Sequence, residues 1–235
     1  MEVIFGAAKV RKYAVSQSGD TLEFVERPHG GLSIVLVDGQ RSGKSAKKIS
    51  NVVARKAVQL LAEGVRDGVV ARAAHDYLYN YRNGKVTATL NIISVDAHSE
   101  TIVVSRNNDS PVIVHTPQRG IYLLDEPSRS IGARRNVKPC VTEIPMELGP
   151  LIVAYTDGLR HAGGKRGSAG FDPVEATKAL LSEGISDPQT IADALLMGAL
   201  EADNFRPIDD ISVVVLEVRE KRGDEVRRVG GRLIL

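Results

Sequence analysis

"VLVDGQRSGKSA", residues 35–46, decides how this chain is read. An apolar run ends in Asp38-Gly39, and Gly43-Lys44-Ser45 follows, so the stretch first reads as a phosphate-binding loop. Such a loop needs four residues between its first glycine and Gly-Lys-Ser, so that a ring of backbone N–H groups fits the phosphates. Here only Gln40, Arg41 and Ser42 stand between Gly39 and Gly43, and the first-glycine position is Asp38, a carboxylate that repels a triphosphate. The stretch reads better as a buried strand that ends in an aspartate and turns into a helix.

Outward from there, the periodicity changes twice. "TLEFVERPHGGLSIVLVDG" predicts two strands joined at Pro28-His29-Gly30-Gly31, and the apolar Leu32–Val37 run suits a strand covered on both faces. An earlier strand is expected from Val3 through Val15. From Gly43, Ala46, Ile49, Val53, Ala57, Leu60 and Leu61 recur at helical spacing up to Gly64, and a second helix is expected from Asp67 to Asn83-Gly84. "KVTATLNIISVD" and "TIVVSRNN" predict a hairpin turning at residues 97–100. Further strands are expected in "PVIVHT", "GIYLL", "PLIVAYTDG" and "DDISVVVLEV", with helices at Val174–Ser182 and Pro188–Ala202. Strands, two helices, many strands, two helices and one strand do not make the regular alternation of a doubly wound sheet. They fit an α+β layered protein with largely antiparallel sheets.

The composition is that of a globular chain: 235 residues, 43% hydrophobic and 26% charged. A net charge of +2 gives no reason to expect nucleic acid or membrane as the main partner. One cysteine, Cys140, forms no internal disulfide, and no apolar run has transmembrane length, so a cytoplasmic protein is expected. Residues 1–218 read as a single domain and 219–235 as a basic tail.

Four places put aspartate at a strand end: Asp20, Asp38, Asp157 and the Asp209-Asp210 pair. Any one Asp-Gly is a turn signal. Carboxylates gathered from four distant places repel one another unless a cation lies among them, and oxygen-only donors favour Mg²⁺ or Mn²⁺. Asp20, "VDGQRSGKSA", "YTDGL" and "DDISVVVLEV", in this order, resemble the metal-dependent protein phosphatase family (protein phosphatase 2C-like), over roughly Val10 to Val218. The nearest branch is that of the bacterial sporulation stage II protein E phosphatases, and within it the short feedback phosphatases of stress-response sigma-factor circuits.

The resemblance implies a four-layer αββα sandwich with two Mn²⁺ or Mg²⁺ ions at one end. Asp38 would bridge them, the Gly39 carbonyl would bind one, and Asp157 and Asp209 would hold the other. Asp20 would position water, and Asp210 stays open as the alternative to Asp209. The implied activity is hydrolysis of phosphoserine or phosphothreonine by metal-activated water. The implied partner is a phosphorylated regulatory protein, an anti-sigma-factor antagonist-like domain or stressosome component. A pseudophosphatase that binds phosphoproteins, and a nucleotide-binding protein, are the alternatives.

Many relatives carry histidine after Asp-Gly where this chain has Gln40, which donates no proton to a leaving group. Lys44, His161, Lys165 and Arg166 are the candidate substrate contacts, although a solvated role is expected for Lys44. Asn108 and Asp109 read as a surface turn and Cys140 as part of an irregular segment. Tyr77, Tyr79 and Tyr81, at two-residue steps in a helix, cannot all face one side, so at least one is expected to be exposed, with partial core burial expected ahead of a partner surface.

Overall fold

A computed structural model describes residues 1–28, 30–146, 149–164, 170–221 and 223–232. In chain order the elements are β1 (Glu2–Val10), β2 (Asp20–Glu26), β3 (Gly31–Gly39), α1 (Gly43–Ala62), α2 (Asp67–Arg82), β4 (Ala88–Asp96), β5 (Thr101–Asn107) and β6 (Val112–Thr116). Then follow β7 (Gly120–Leu124), β8 (Cys140–Pro145), β9 (Leu151–Tyr155), α3 (Asp157–His161), α4 (Pro173–Ser182), α5 (Pro188–Ala202) and β10 (Ile211–Arg219). One sheet runs β1-β10-β9-β6-β7 and the other β2-β3-β4-β5-β8, with antiparallel neighbours throughout.

Strand alternation builds the layers. On β3, Ile34 enters the core between the sheets, with Ile93, Val104, Val114, Ile152 and Val214. Val35 and Val37 point the other way, against Ala54, Ala57, Leu61, Val70, Ala74 and Leu78 of α1 and α2. On β10, Val214 and Leu216 face the sheet partner, while Val213 and Val215 meet Ile191, Leu195 and Ala199 of α5. Both faces of the central strands are thus covered, and each fully buried aliphatic side chain contributes about 1.5–3 kcal/mol. The helix ends follow local chemistry. Asn83 and Gly84 close α2 in the left-handed region, and Asp172 and Asp187 cap the Pro-led starts of α4 and α5.

Four sequence expectations are corrected. The first strand stops at Val10, because Pro207 O accepts from Tyr13 N and the chain has turned by Ala14, at φ +65°. Cys140 is not in an irregular segment: it opens β8, an edge strand whose outward Val141 and Glu143 weaken its apolar alternation. Asn108 is no surface turn. It is buried, donates to Tyr155 O and accepts from Ser110 N–H, and the buried Arg106 guanidinium ties this corner to Ser110 O and Glu126 O. Tyr77 and Tyr81 are exposed and stack with ring centroids 6.1 Å apart, so the exposure expected of at least one tyrosine holds for two, and partial core burial fails for both. His29 lies outside the described residues. No described helix is long and apolar enough to cross a membrane, and described residues 220–232 form no helix or strand.

Candidate metal centre

The strand ends expected to hold aspartates meet at one end of the sandwich. The β2–β3 register sets Asp20 opposite Asp38, as the first residue of one strand against the penultimate residue of the other. Asp157 opens α3 directly after β9, and Asp209 and Asp210 immediately precede β10, the partner of β9.

Asp20 links the two sheets. Its Oδ2 accepts from Ser212 Oγ at 2.6 Å and from Thr156 Oγ1 at 3.1 Å, and Thr156 Oγ1 in turn accepts from Ser212 N–H at 3.0 Å. Burial pushes the Asp20 carboxyl up to about 6; the Ser212 hydroxyl works against this and Asp210 adds to it. Its Oδ1 is buried with no hydrogen-bond partner. Behind it, Lys9 Nζ and Lys47 Nζ both donate to Asp20 O at 2.6 Å. Burial and the neighbouring Lys9 bring Lys47 down to about 8.

Asp38 is the most perturbed acid of the edge. Burial first, then the Asp20, Asp157 and Asp209 carboxylates, push it up to about 9. Burial likewise raises Asp209, opposed by the Asp210 N–H and reinforced by Asp157. Asp210 has another geometry: its Oδ1 accepts from Lys12 N–H and its Oδ2 from Gly19 N–H, both at 2.9 Å. It braces the 11–19 segment, while Asp209 is the member of the pair that acts on Asp38.

Close backbone approaches explain the glycines. A Cβ on Gly39 would stand 2.2 Å from Ala46 O, so α1 packs onto the strand end only because this residue has no side chain. A Cβ on Gly158 would stand 2.1 Å from Asp210 O. Gln40 extends the β3–β4 pairing: its N–H donates to Thr87 O at 3.1 Å and its Oε1 accepts from Thr87 N–H at 3.2 Å.

His161 is 56% exposed, with Nδ1 3.7 Å from Asp157 Oδ2. Lys44 is exposed on the first turn of α1. Lys165 and Arg166 lie outside the described residues. The sequence reading missed Lys9, Lys47, Thr156 and Ser212; only the placement of Thr156 beside Asp157, and of Ser212 two residues after Asp210, hinted at a role.

Among the described residues no three His, Cys, Asp or Glu side chains close into a ready-made metal cage. The edge nevertheless suits hard divalent ions: its donors are all oxygen, it holds a buried unpartnered carboxylate oxygen, and its carboxylates raise one another's affinity for positive charge.

The family model for stage II sporulation protein E matches residues 28–219. The chain belongs to the stage II sporulation protein E family. The family's member from Bacillus subtilis (strain 168) is 20% identical over 213 residues, covering 91% of this chain and 25% of its own length. The chain therefore spans about a quarter of that relative. A structure of the PP2C phosphatase domain and a regulatory-domain fragment of B. subtilis SpoIIE superposes with a TM-score of 0.78 at 20% identity, covering 93% of this chain and 64% of that one. RsbX in complex with magnesium gives 0.70 at 17% identity, covering 92% and 95%. The catalytic domain of the serine/threonine phosphatase PstP with 2 manganese ions gives 0.69 at 16% identity, covering 93% and 99%. The fold is that of PP2C phosphatase domains, as the four strand-end motifs implied.

Proposed function

We propose that this chain is a Mn²⁺- or Mg²⁺-dependent protein serine/threonine phosphatase acting on a phosphorylated regulatory protein. The observation that carries the reading is the convergence of four carboxylates from distant parts of the chain on one edge: Asp20 opposite Asp38 in the β2–β3 register, with Asp157 and Asp209 at the neighbouring ends of β9 and β10. A pair of divalent ions, when bound, supplies an activated water nucleophile and a clamp on the phosphoryl oxygens. Asp38, Asp157, Asp209 and the Gly39 carbonyl would be the donors that hold them, and Asp210 braces the loop behind. Asp20, fixed by Ser212 and Thr156, would position water beside the bound ions. Gln40 is tied to Thr87 and takes no part in proton transfer, while His161 faces solvent beside Asp157, where a phosphoprotein would touch it.

The bound metals in RsbX and PstP support the cofactor assignment. The resemblance to stress-response phosphatases supports an anti-sigma-factor antagonist-like domain as substrate and a cytoplasmic setting. Nucleotide binding through residues 39–45 has less support, since β3 lies between two antiparallel neighbours.

The test is hydrolysis of an aryl phosphate and of a phosphoserine peptide by the purified chain, with and without Mn²⁺, beside Asp38→Asn. Activity that requires Mn²⁺ and is lost in the variant is expected. Folded protein that binds phosphopeptide without hydrolysing it would favour the pseudophosphatase.

A further inference from the structure

Where α1 begins and α2 ends, an open cavity of about 620 Å³ is lined by Arg41, Lys44, Lys48, Arg82 and Lys85, with Tyr81 beside them and, among the described residues, no acidic one. All five cationic side chains are exposed. Among the described residues none of them enters an ion pair or donates a side-chain hydrogen bond.

Local stability does not account for this charge. The first turn of α1 holds no acidic residue and carries Lys44, and Lys48 follows it at i+4 in the second turn. Cations at a helix N-terminus oppose the macrodipole, and like charges at that spacing repel. Arg41 adds a third unfavourable feature, a non-glycine residue at φ +76°. A site that concentrates positive charge against helix preference is built to meet an anion.

The cavity adjoins the proposed centre along the chain. Gly39 is a proposed metal donor, Gln40 is clamped to Thr87 through both its backbone and its side chain, and Arg41 follows on the cavity wall. A protein segment whose phosphorylated residue sits at the aspartates lays its flanking residues over these cations. A nucleotide base would have one face of Tyr81 alone to stack on, because the other meets Tyr77 at an interplanar angle of 3°.

We propose that this cavity is the docking subsite for acidic residues flanking the phosphorylated side chain of the protein substrate. The proposal deepens the phosphatase reading and rests on it for the position of the phosphate. Guanidinium and ammonium groups would pair with Asp and Glu carboxylates by charge-assisted hydrogen bonds.

The test reads binding without turnover. A fluorescein-labelled, unphosphorylated peptide rich in Asp and Glu is titrated by anisotropy with the Mn²⁺-loaded full chain, beside its Asn/Gln isostere. The acidic peptide should bind about tenfold more tightly at low salt, and the preference should vanish near 0.5 M salt, roughly where screening shortens to a few ångströms. Lys48→Glu/Lys85→Glu, and the milder Arg82→Ala/Lys85→Ala, should lose the preference. Arg66→Glu/Arg72→Glu, on exposed residues at the other end of α2, should keep it. Equal binding of the two peptides by the natural chain, or retention of the preference in both cavity variants, would overturn the proposal. So would a nucleoside triphosphate that binds more tightly than the peptide and is lost in the same variants. Mn²⁺-dependent aryl phosphate hydrolysis, measured separately, reports on the phosphatase reading alone: an inactive chain that still prefers the acidic peptide through these residues upholds the subsite and refutes the activity.

Discussion

β3 has a buried polar cluster near each end, and the two are built on opposite principles. Near its start, Ser33 joins Arg27, Asp67 and Ser94. Arg27 Nη1 donates to Asp67 Oδ2 and to Ser33 Oγ at 3.2 Å, its Nη2 donates to Val65 O at 3.2 Å, and Ser94 Oγ donates to Asp67 Oδ1. Burial raises the Asp67 carboxyl, and Ser94 and Arg27 pull it back down. At the finish of the strand, Asp38 faces carboxylates instead, and nothing comparable offsets their push. The first cluster gives its acid a fixed cation and locks α2 to the sheet. The second concentrates negative charge at the cost of stability, as expected where function and not packing selects the residues.

Asp38→Asn should separate the two most strongly. Activity should fall by more than the roughly 10–100-fold typical of outer-shell partners of a metal site, while the chelator-treated variant should melt higher than the natural chain. The sign follows from the proton. Folded protein holds it up to about pH 9, whereas an unfolded aspartate releases it near the ordinary 3.8. Stability from Asp38 therefore falls as pH rises between those values, and the variant's advantage should be larger at pH 8 than at pH 5. Mn²⁺ should reverse the ranking. A variant less stable than the natural chain at every pH would break the comparison.

Arg27→Met should give the opposite result at the other end. An uncompensated buried Asp67 costs about 3–5 kcal/mol, or roughly 2–4 °C in Tm for each kcal/mol in a domain of this size. Denaturant midpoints should record the loss, and Mn²⁺ affinity should not change. A loss below about 1 kcal/mol, the range of exposed pairs, would mean that Asp67 needs no cation.

Ser212→Ala sharpens the comparison with a smaller change. It removes the 2.6 Å bond to Asp20 Oδ2 and leaves the proposed metal donors intact. A drop of about 10–100-fold in Mn²⁺ affinity or kcat is expected with little change in folding. An unchanged enzyme would deny Asp20 its positioning role.

The convergence of aspartates was legible in the sequence because each aspartate closes or opens an apolar run, a pattern that needs no knowledge of long-range pairing. The Arg27 cluster was not legible, since its members are up to 67 residues apart and each is ordinary alone. Asp209 and Asp210 are indistinguishable as letters; only the N–H groups of Lys12 and Gly19, brought in from the N-terminal region, give Asp210 its bracing role. Lys9 and Lys47 escaped for the same reason, and β8 escaped because an edge strand has little apolar alternation to display.

The most direct measurement is calorimetric titration of Mn²⁺ into the chelator-treated chain at pH 7.5 in two buffers of different ionisation enthalpy, beside Asp38→Asn. Binding of two ions with release of the Asp38 proton, and loss of both in the variant, is the expected result. No binding, or the same stoichiometry and proton release in the variant, would contradict the account.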